Sequence, residues 1–221
     1  VPTPRVESFC LGDFMTNCFV VTVPDADDPD RARDCWIVDC GFDPEPMFEH
    51  IDRERLTPKA LLLTHSHADH IAGVDQALGR YGRMPLYLHE AEQGFCSDPM
   101  LNLSAMLAAP VTCVEPDHWL SDGDALELNG TTWRVVHAPG HSPGGVLFVN
   151  DESNQAIVGD TLFAGSIGRF DFPTSDPEKL RHSIFEILMN LPDEMRIYPG
   201  HLTETTIGRE RETNPFVRGG F

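Results

Sequence analysis

Residues 59–70 read KALLLTHSHADH. An uninterrupted apolar run of this length suits a strand buried on both faces. Three histidines and an aspartate then fall within six residues, 65–70. The continuation HIAGVDQALGRYG (70–82) sets Ile71, Val74, Leu78 and Tyr81 at helical spacing. The stretch therefore predicts a strand, a ligand-rich turn and a helix.

The flanking sequence extends this alternation. RVESFCLG and TNCFVVTV read as paired strands, followed by a polar hairpin loop, DADDPDRAR (25–33), and the strand DCWIVDCG. PEPMFEHIDRE fits a helix with proline in its first turn and Met47, Ile51 and Arg55 on one face. PLYLHE predicts a strand, and EAEQGF the start of a further helix. In the second half, DALELNGTTWRVVHA is a hairpin turned at Asn129-Gly130, and GGVLFVNDESNQAIVGD is a second hairpin. DPEKLRHSIFEILMNL is a helix striped by Leu180, Ile184, Ile187 and Leu188; MRIYPG is a strand and TETTIGRERE a terminal helix. Two sheets packed face to face with helices outside would use every element. At 221 residues the chain suits one domain, 1–221.

Composition excludes several classes. A formal charge of −19 disfavours phosphate backbones, so no nucleic-acid partner is expected. No segment approaches the roughly 20 apolar residues of a membrane helix, and VPTPRVESF lacks an apolar signal core, so no membrane partner is expected either. The six cysteines, at 10, 18, 35, 40, 96 and 113, form no C-x-x-C pair. They read as buried free thiols of a cytoplasmic protein.

Histidine and carboxylate are the usual ligands of zinc and similar metals. In an extended turn, His65 and His67 point the same way and reach one ion. Asp69 and His70 lie where the chain enters the helix and can face a second, although Asp69 could simply cap that helix. Three further turns match the pattern: His141 in HAPGHSPGG, Asp160 in IVGDTLF and His201 in RIYPGHLT. Each alone is as easily a hydrogen-bonded residue of no special role. Four such strand ends together favour a site for two divalent ions, and Asp160 could bridge them with its two oxygens. His50, His89, His118, His137 and His182 follow no such pattern and are read as structural.

The ordered motifs THSHADHIAG, APGHSPGG, GDTLFAGSIGRFDFP, YPGH and GRERETNPF resemble those of metallo-β-lactamase-fold hydrolases. Within that superfamily the chain is similar to the small, single-domain glyoxalase II-like proteins. The resemblance implies an α/β (α+β) fold, a four-layer αβ/βα sandwich with the site at one edge of the two sheets. It implies one metal on His65, His67 and His141, a second on Asp69, His70 and His201, and Asp160 between them. The metals would be zinc, with iron or manganese as alternatives. Where family members carry lysine after the bridging aspartate, this chain has Arg169, a candidate substrate-binding residue able to hold a carboxylate. Two residues on, Asp171 replaces an aromatic residue and disfavours an anionic tail. Leu202 replaces the small residue usual after the last histidine and is expected to narrow the pocket.

The expected chemistry is thioester hydrolysis of a small acyl-thiol, of the S-acylglutathione type, by a metal-bridging hydroxide. Asp69 would orient it and Asp160 would hold both metals, in a monomer or homodimer. Rival readings are a mononuclear-iron persulfide dioxygenase using His65, His141 and Asp160, a lactone, ester or β-lactam hydrolase, and a non-catalytic metal-binding module. A purely structural site would be closed by four tight ligands, which seven ligands for two ions are not.

Overall fold

A computed structural model describes residues 3–24 and 33–221. The polar hairpin loop expected over 25–33 lies outside the described residues, apart from the Arg33 backbone. The first half contains β1 (Arg5–Leu11), β2 (Thr16–Thr22), β3 (Arg33–Val38), α1 (Glu45–Arg53), β4 (Leu56–Leu62), α2 (Ala68–Ile71), α3 (Val74–Tyr81), β5 (Leu86–His89) and β6 (His118–Leu120). The second contains β7 (Ala125–Leu128), β8 (Thr131–His137), β9 (Val146–Asn150), β10 (Gln155–Gly159), β11 (Leu162–Phe163), β12 (Ser166–Ile167), α4 (Pro177–His182), β13 (Arg196–Pro199), β14 (Thr205–Thr206), α5 (Ile207–Thr213) and α6 (Pro215–Gly219). One six-stranded sheet has the order β1-β2-β3-β4-β5-β6, and the other β14-β13-β10-β9-β8-β7. Pairing is parallel for β3–β4, β4–β5, β5–β6 and β10–β13.

The period of two along each strand sorts the apolar residues into three cores. Phe19, Val21, Trp36, Val38 and Leu62 of the first sheet meet Trp133, Val135, Phe148, Ile157 and Tyr198 of the second. Their neighbours Val20, Ile37, Leu61 and Leu63 face the other way, onto Met47, Phe48 and Ile51 of α1 and Val74 and Ala77 of α3. Val136, Leu147, Val149, Ala156 and Val158 do the same onto Leu180, Ile184, Leu188 and Ile207. Strands buried on both faces explain the continuous apolar runs. The layers are thus helix, sheet, sheet, helix, as the resemblance implied.

The turn of the β7–β8 hairpin is the expected one, with φ of 46° at Asn129 and 80° at Gly130. Three expectations change in detail. The helix over 70–82 is broken into α2 and α3, because the loop after β3 takes its hydrogen bonds: Cys40 N donates to His70 O (2.8 Å) and Gly73 N to Cys40 O (2.7 Å). EAEQGF makes only a 3₁₀ turn at Glu90–Glu92, which His89 caps by accepting from Ala91 N. The helix over 176–191 holds α-helical geometry only to His182 and continues as a π turn and a 3₁₀ turn to Asn190.

All six cysteines are free, and five are buried; Cys10, on the edge strand β1, is exposed, contrary to the expectation of a buried thiol. Burial pushes the Cys35 thiol up to about 12, and burial with the neighbouring Asp39 carboxylate raises Cys18 and Cys40. A colorimetric disulfide titrant should therefore react quickly with one thiol in the native protein and with six after denaturation. Two or more fast thiols in the native state would contradict this packing.

Candidate metal centre

The parallel strands of the two sheets send their C-terminal ends to the same edge of the sandwich, and the ligand-type residues occupy the turns there. The 65–70 segment follows β4, Asp160 follows β10 and His201 follows β13. His141 lies in the loop after β8. Backbone bonds join these turns across the two sheets: Val146 N donates to Thr64 O (2.9 Å) and Asn17 N to Gly200 O (2.7 Å). Gly200 is the residue that lets the last turn close. A Cβ there would lie 2.2 Å from Asp160 Oδ1 and 2.9 Å from the His70 ring.

All seven predicted residues come together. Ligand atoms group as His65, His67 and His141; as His65, His70 and Asp160; and as Asp69, His70 and His201, those of each group lying within 4.8 Å of one another. Asp160 touches both ends of the cluster: Oδ2 lies 3.5 Å from His141 Nε2 and 3.4 Å from His201 Nε2, and Oδ1 3.5 Å from His70 Nε2. Asp69 Oδ2 lies 3.2 Å from His201 Nε2. The five other histidines belong to none of these groups; His89 and His137 instead stack on each other at 3.9 Å.

Several rings are held from outside by one nitrogen. His65 Nδ1 contacts Thr64 Oγ1 (3.1 Å), His70 Nδ1 contacts Asp39 Oδ2 (2.9 Å) and His141 Nδ1 contacts the Arg169 carbonyl (2.8 Å). The Nε2 atoms of His65, His67 and His70 and Oδ1 of Asp160 are buried with no hydrogen-bond partner. Buried polar atoms without partners are rare and costly. A nitrogen anchored on one side and unsatisfied on the other is the usual state of a metal-ligating imidazole. The donor set therefore fits divalent cations.

The protonation pattern agrees. Burial and neighbouring imidazoles push His65 well below its ordinary value, and burial with His141 brings His67 down to about 3. Burial alone would raise Asp69 and Asp160, but His70 and a hydrogen bond from His201 hold both below the usual carboxylate range. His70 and His201 go upward: burial opposes their charged form, but Asp69 and Asp39 outweigh it at His70, and Asp160 and Asp69 lift His201 to about 10. Carboxylates that stay ionised beside imidazoles that stay neutral are ready to take a cation, and the charge on His70 and His201 is what a cation would replace.

Four supporting residues were not anticipated from sequence. Asp39, fully buried after β3, accepts from Thr64 N (2.8 Å), from Thr64 Oγ1 (2.7 Å) and from His70. Glu92, also fully buried, accepts from Ser66 N (2.7 Å) and Gly144 N (3.0 Å), tying the 65–70 turn to the loop that carries His141. Thr16 Oγ1 donates to Asp69 Oδ2 (2.7 Å), and Asn17 Nδ2 donates to Pro199 O (2.9 Å) and Leu202 O (2.8 Å). Asp39 had a signal: in IVDCG (37–41) an acid follows an apolar strand, as in IVGD. The other three lie in segments with no such pattern.

A cavity of about 370 Å³ opens over the cluster, walled by Phe14, Leu103, Leu107, Phe163 and Phe172. Phe163 and Phe172 stand edge-on to His201 and His67, with ring centroids 5.8 and 5.6 Å apart. Arg169 also lines the cavity. Leu202 does not; its backbone turns at φ 66° and its side chain is exposed, so it does not narrow the pocket as expected.

A sequence model of the family described as Metallo-beta-lactamase superfamily matches residues 11–201. The chain is 34% identical to the hydroxyacylglutathione hydrolase GloC of Haemophilus influenzae, across 96% of this chain and 98% of that one. Among solved structures, it superimposes on the BLEG-1 B3 metallo-beta-lactamase with a TM-score of 0.88 at 37% identity, over 97% of this chain and all of that one. It also superimposes on TTHA1623 in a di-iron-bound form with a TM-score of 0.81 at 33% identity, over 96% and 100%.

Proposed function

The chain belongs to the metallo-β-lactamase superfamily, as a metallo-hydrolase of the glyoxalase II-like kind, and we propose that it is a dinuclear enzyme cleaving thioesters. Residues 1–221 are read as one such domain working in the cytoplasm, which six free thiols suit. Among the described residues, no helix is long and apolar enough to cross a membrane.

The observation that carries the reading is the position of Asp160, within 3.5 Å of imidazoles at both ends of the cluster. His65, His67 and His141 would hold one ion, Asp69, His70 and His201 the other, and Asp160 both. GloC, named as a hydroxyacylglutathione hydrolase, supports the thioester, and the di-iron form of TTHA1623 supports two metals. Bound there, divalent cations supply Lewis acidity and make water a nucleophile near neutral pH. The chain's own residues do the rest. Thr16 fixes one oxygen of Asp69, which then points at the space between the imidazoles and can orient a water proton. Phe163 and Phe172, edge-on to His201 and His67, would limit the access of bulk water to the reacting centre. A thiolate leaves without prior protonation, so the absence of an uncommitted acid among the described lining residues suits a thioester.

Metal analysis of purified protein followed by a thioester panel tests this. About two ions per chain with thioester cleavage is the expected result. One iron with oxygen uptake on a persulfide would replace it with the dioxygenase reading. A loaded protein inert to esters, thioesters and lactones would overturn it.

A further inference from the structure

We propose that the substrate fills the cavity with an apolar group carrying no carboxylate, and that Asp171 enforces this choice by occupying Arg169. The assignment rests on the hydrolase reading above and sharpens it.

Among the described residues, Arg169 is the only lysine or arginine lining the cavity. One edge of its guanidinium is already occupied. Nε and Nη2 donate to the two oxygens of Asp171, each at 2.9 Å, in a fork that uses one whole edge of the group. Its plane lies over Phe172, 4.3 Å from the ring centroid. An incoming carboxylate would have to displace Asp171 or sit beside it, and like charges at that spacing repel. The ion pair is exposed, so it adds little to stability, but Asp171 offsets the charge of Arg169 at the cavity wall.

The walls supply the opposite preference. Phe14, Leu103, Leu107, Phe163 and Phe172 line the cavity with apolar side chains. The backbone adds an independent observation. Eight described non-glycine residues have positive φ, and three of these carry apolar side chains: Met15 (54°), Leu103 (66°) and Leu202 (66°). Left-handed backbone is unfavourable for such residues, which have no local hydrogen bond to offset it. All three flank this site: Met15 follows Phe14, Leu103 lines the cavity and Leu202 follows His201. Strained backbone at Leu103, which lines the cavity, points to a ligand-facing role for that residue.

The test compares three thioesters on the metal-loaded protein. S-Hexanoyl-N-acetylcysteamine and S-acetyl-N-acetylcysteamine share a neutral thiol and differ in apolar length. S-Hexanoylglutathione keeps the acyl chain and adds carboxylates. We expect kcat/KM for the hexanoyl N-acetylcysteamine ester to exceed that of the acetyl ester by about tenfold or more, and to exceed that of the glutathione ester. In Asp171→Asn the ratio of the two hexanoyl esters should shift toward glutathione by about fivefold. A binding measurement without turnover accompanies it. Nile red, an uncharged apolar dye, should bind the wild type and weaken about tenfold in Leu103→Gly, which relieves the left-handed backbone while removing the side chain. Preference for the glutathione ester, unchanged in Asp171→Asn, or Nile red binding indifferent to Leu103→Gly, would overturn this assignment alone. Inertness toward all three thioesters would overturn the hydrolase reading on which it rests.

Discussion

Replacing Asp160 by alanine is expected to remove the second metal and to slow hydrolysis by ~10³-fold or more, equivalent to about 4 kcal/mol of transition-state stabilisation. Asp160 alone faces imidazoles at both ends of the cluster, at 3.4–3.5 Å from His70, His141 and His201. Without it, each half would keep histidines but lose the carboxylate proposed to serve both metals. Metal content measured on the variant should fall from about two ions per chain to one or fewer. The second readout is thermal. A ligand at 1,000 times its dissociation constant stabilises a fold by ~4 kcal/mol. Added metal should thus raise the Tm of the wild type markedly and that of Asp160→Ala little. A variant that keeps two ions and turns over thioester at the wild-type rate would refute the dinuclear mechanism.

The residues that contact the proposed ions were legible because they obey a local rule. Each follows an apolar strand closely, and strand ends can be found from hydrophobic runs. The same runs made the layers legible, since a strand such as KALLL must be covered on both faces. What escaped was long-range. Glu92 joins Ser66 to Gly144, and neither partner lies near it in the sequence. The break between α2 and α3 was hidden for the same reason: its cause is Cys40, thirty residues upstream. EAEQGF failed as a helix, although His89 caps its first turn, because the backbone leaves helical geometry at Gln93, with ψ of 127°, and Gly94, with φ of 84°. Helical spacing records which face is buried; it carries no notice of a neighbouring loop that takes the helix's hydrogen bonds.

Asp39 follows the strand-end rule yet touches no proposed ion, which makes it the sharpest probe of the supporting network. Asp39→Ala strips an acceptor from Thr64 N, Thr64 Oγ1 and His70 Nδ1, all fully or almost fully buried. Each orphaned donor costs about 1–3 kcal/mol, so the variant should lose several kcal/mol of stability and possess little folded protein at physiological temperature. Asp39→Asn separates stability from metal binding. Asparagine tolerates the left-handed backbone at this position, φ 57°. Its carbonyl can keep the bond from Thr64 N, and its amide then faces Thr64 Oγ1 and His70 Nδ1. The hydroxyl can rotate to accept. His70 must accept through Nδ1, which places the ring proton on Nε2, the atom turned toward the proposed metal. A protonated nitrogen cannot coordinate, so metal affinity should fall about 10–100-fold while the metal-free protein melts within a few degrees of the wild type. Equal losses of stability and affinity in Asp39→Asn would show that Asp39 only braces the fold. Affinity lost alone would show that it sets the tautomer of His70.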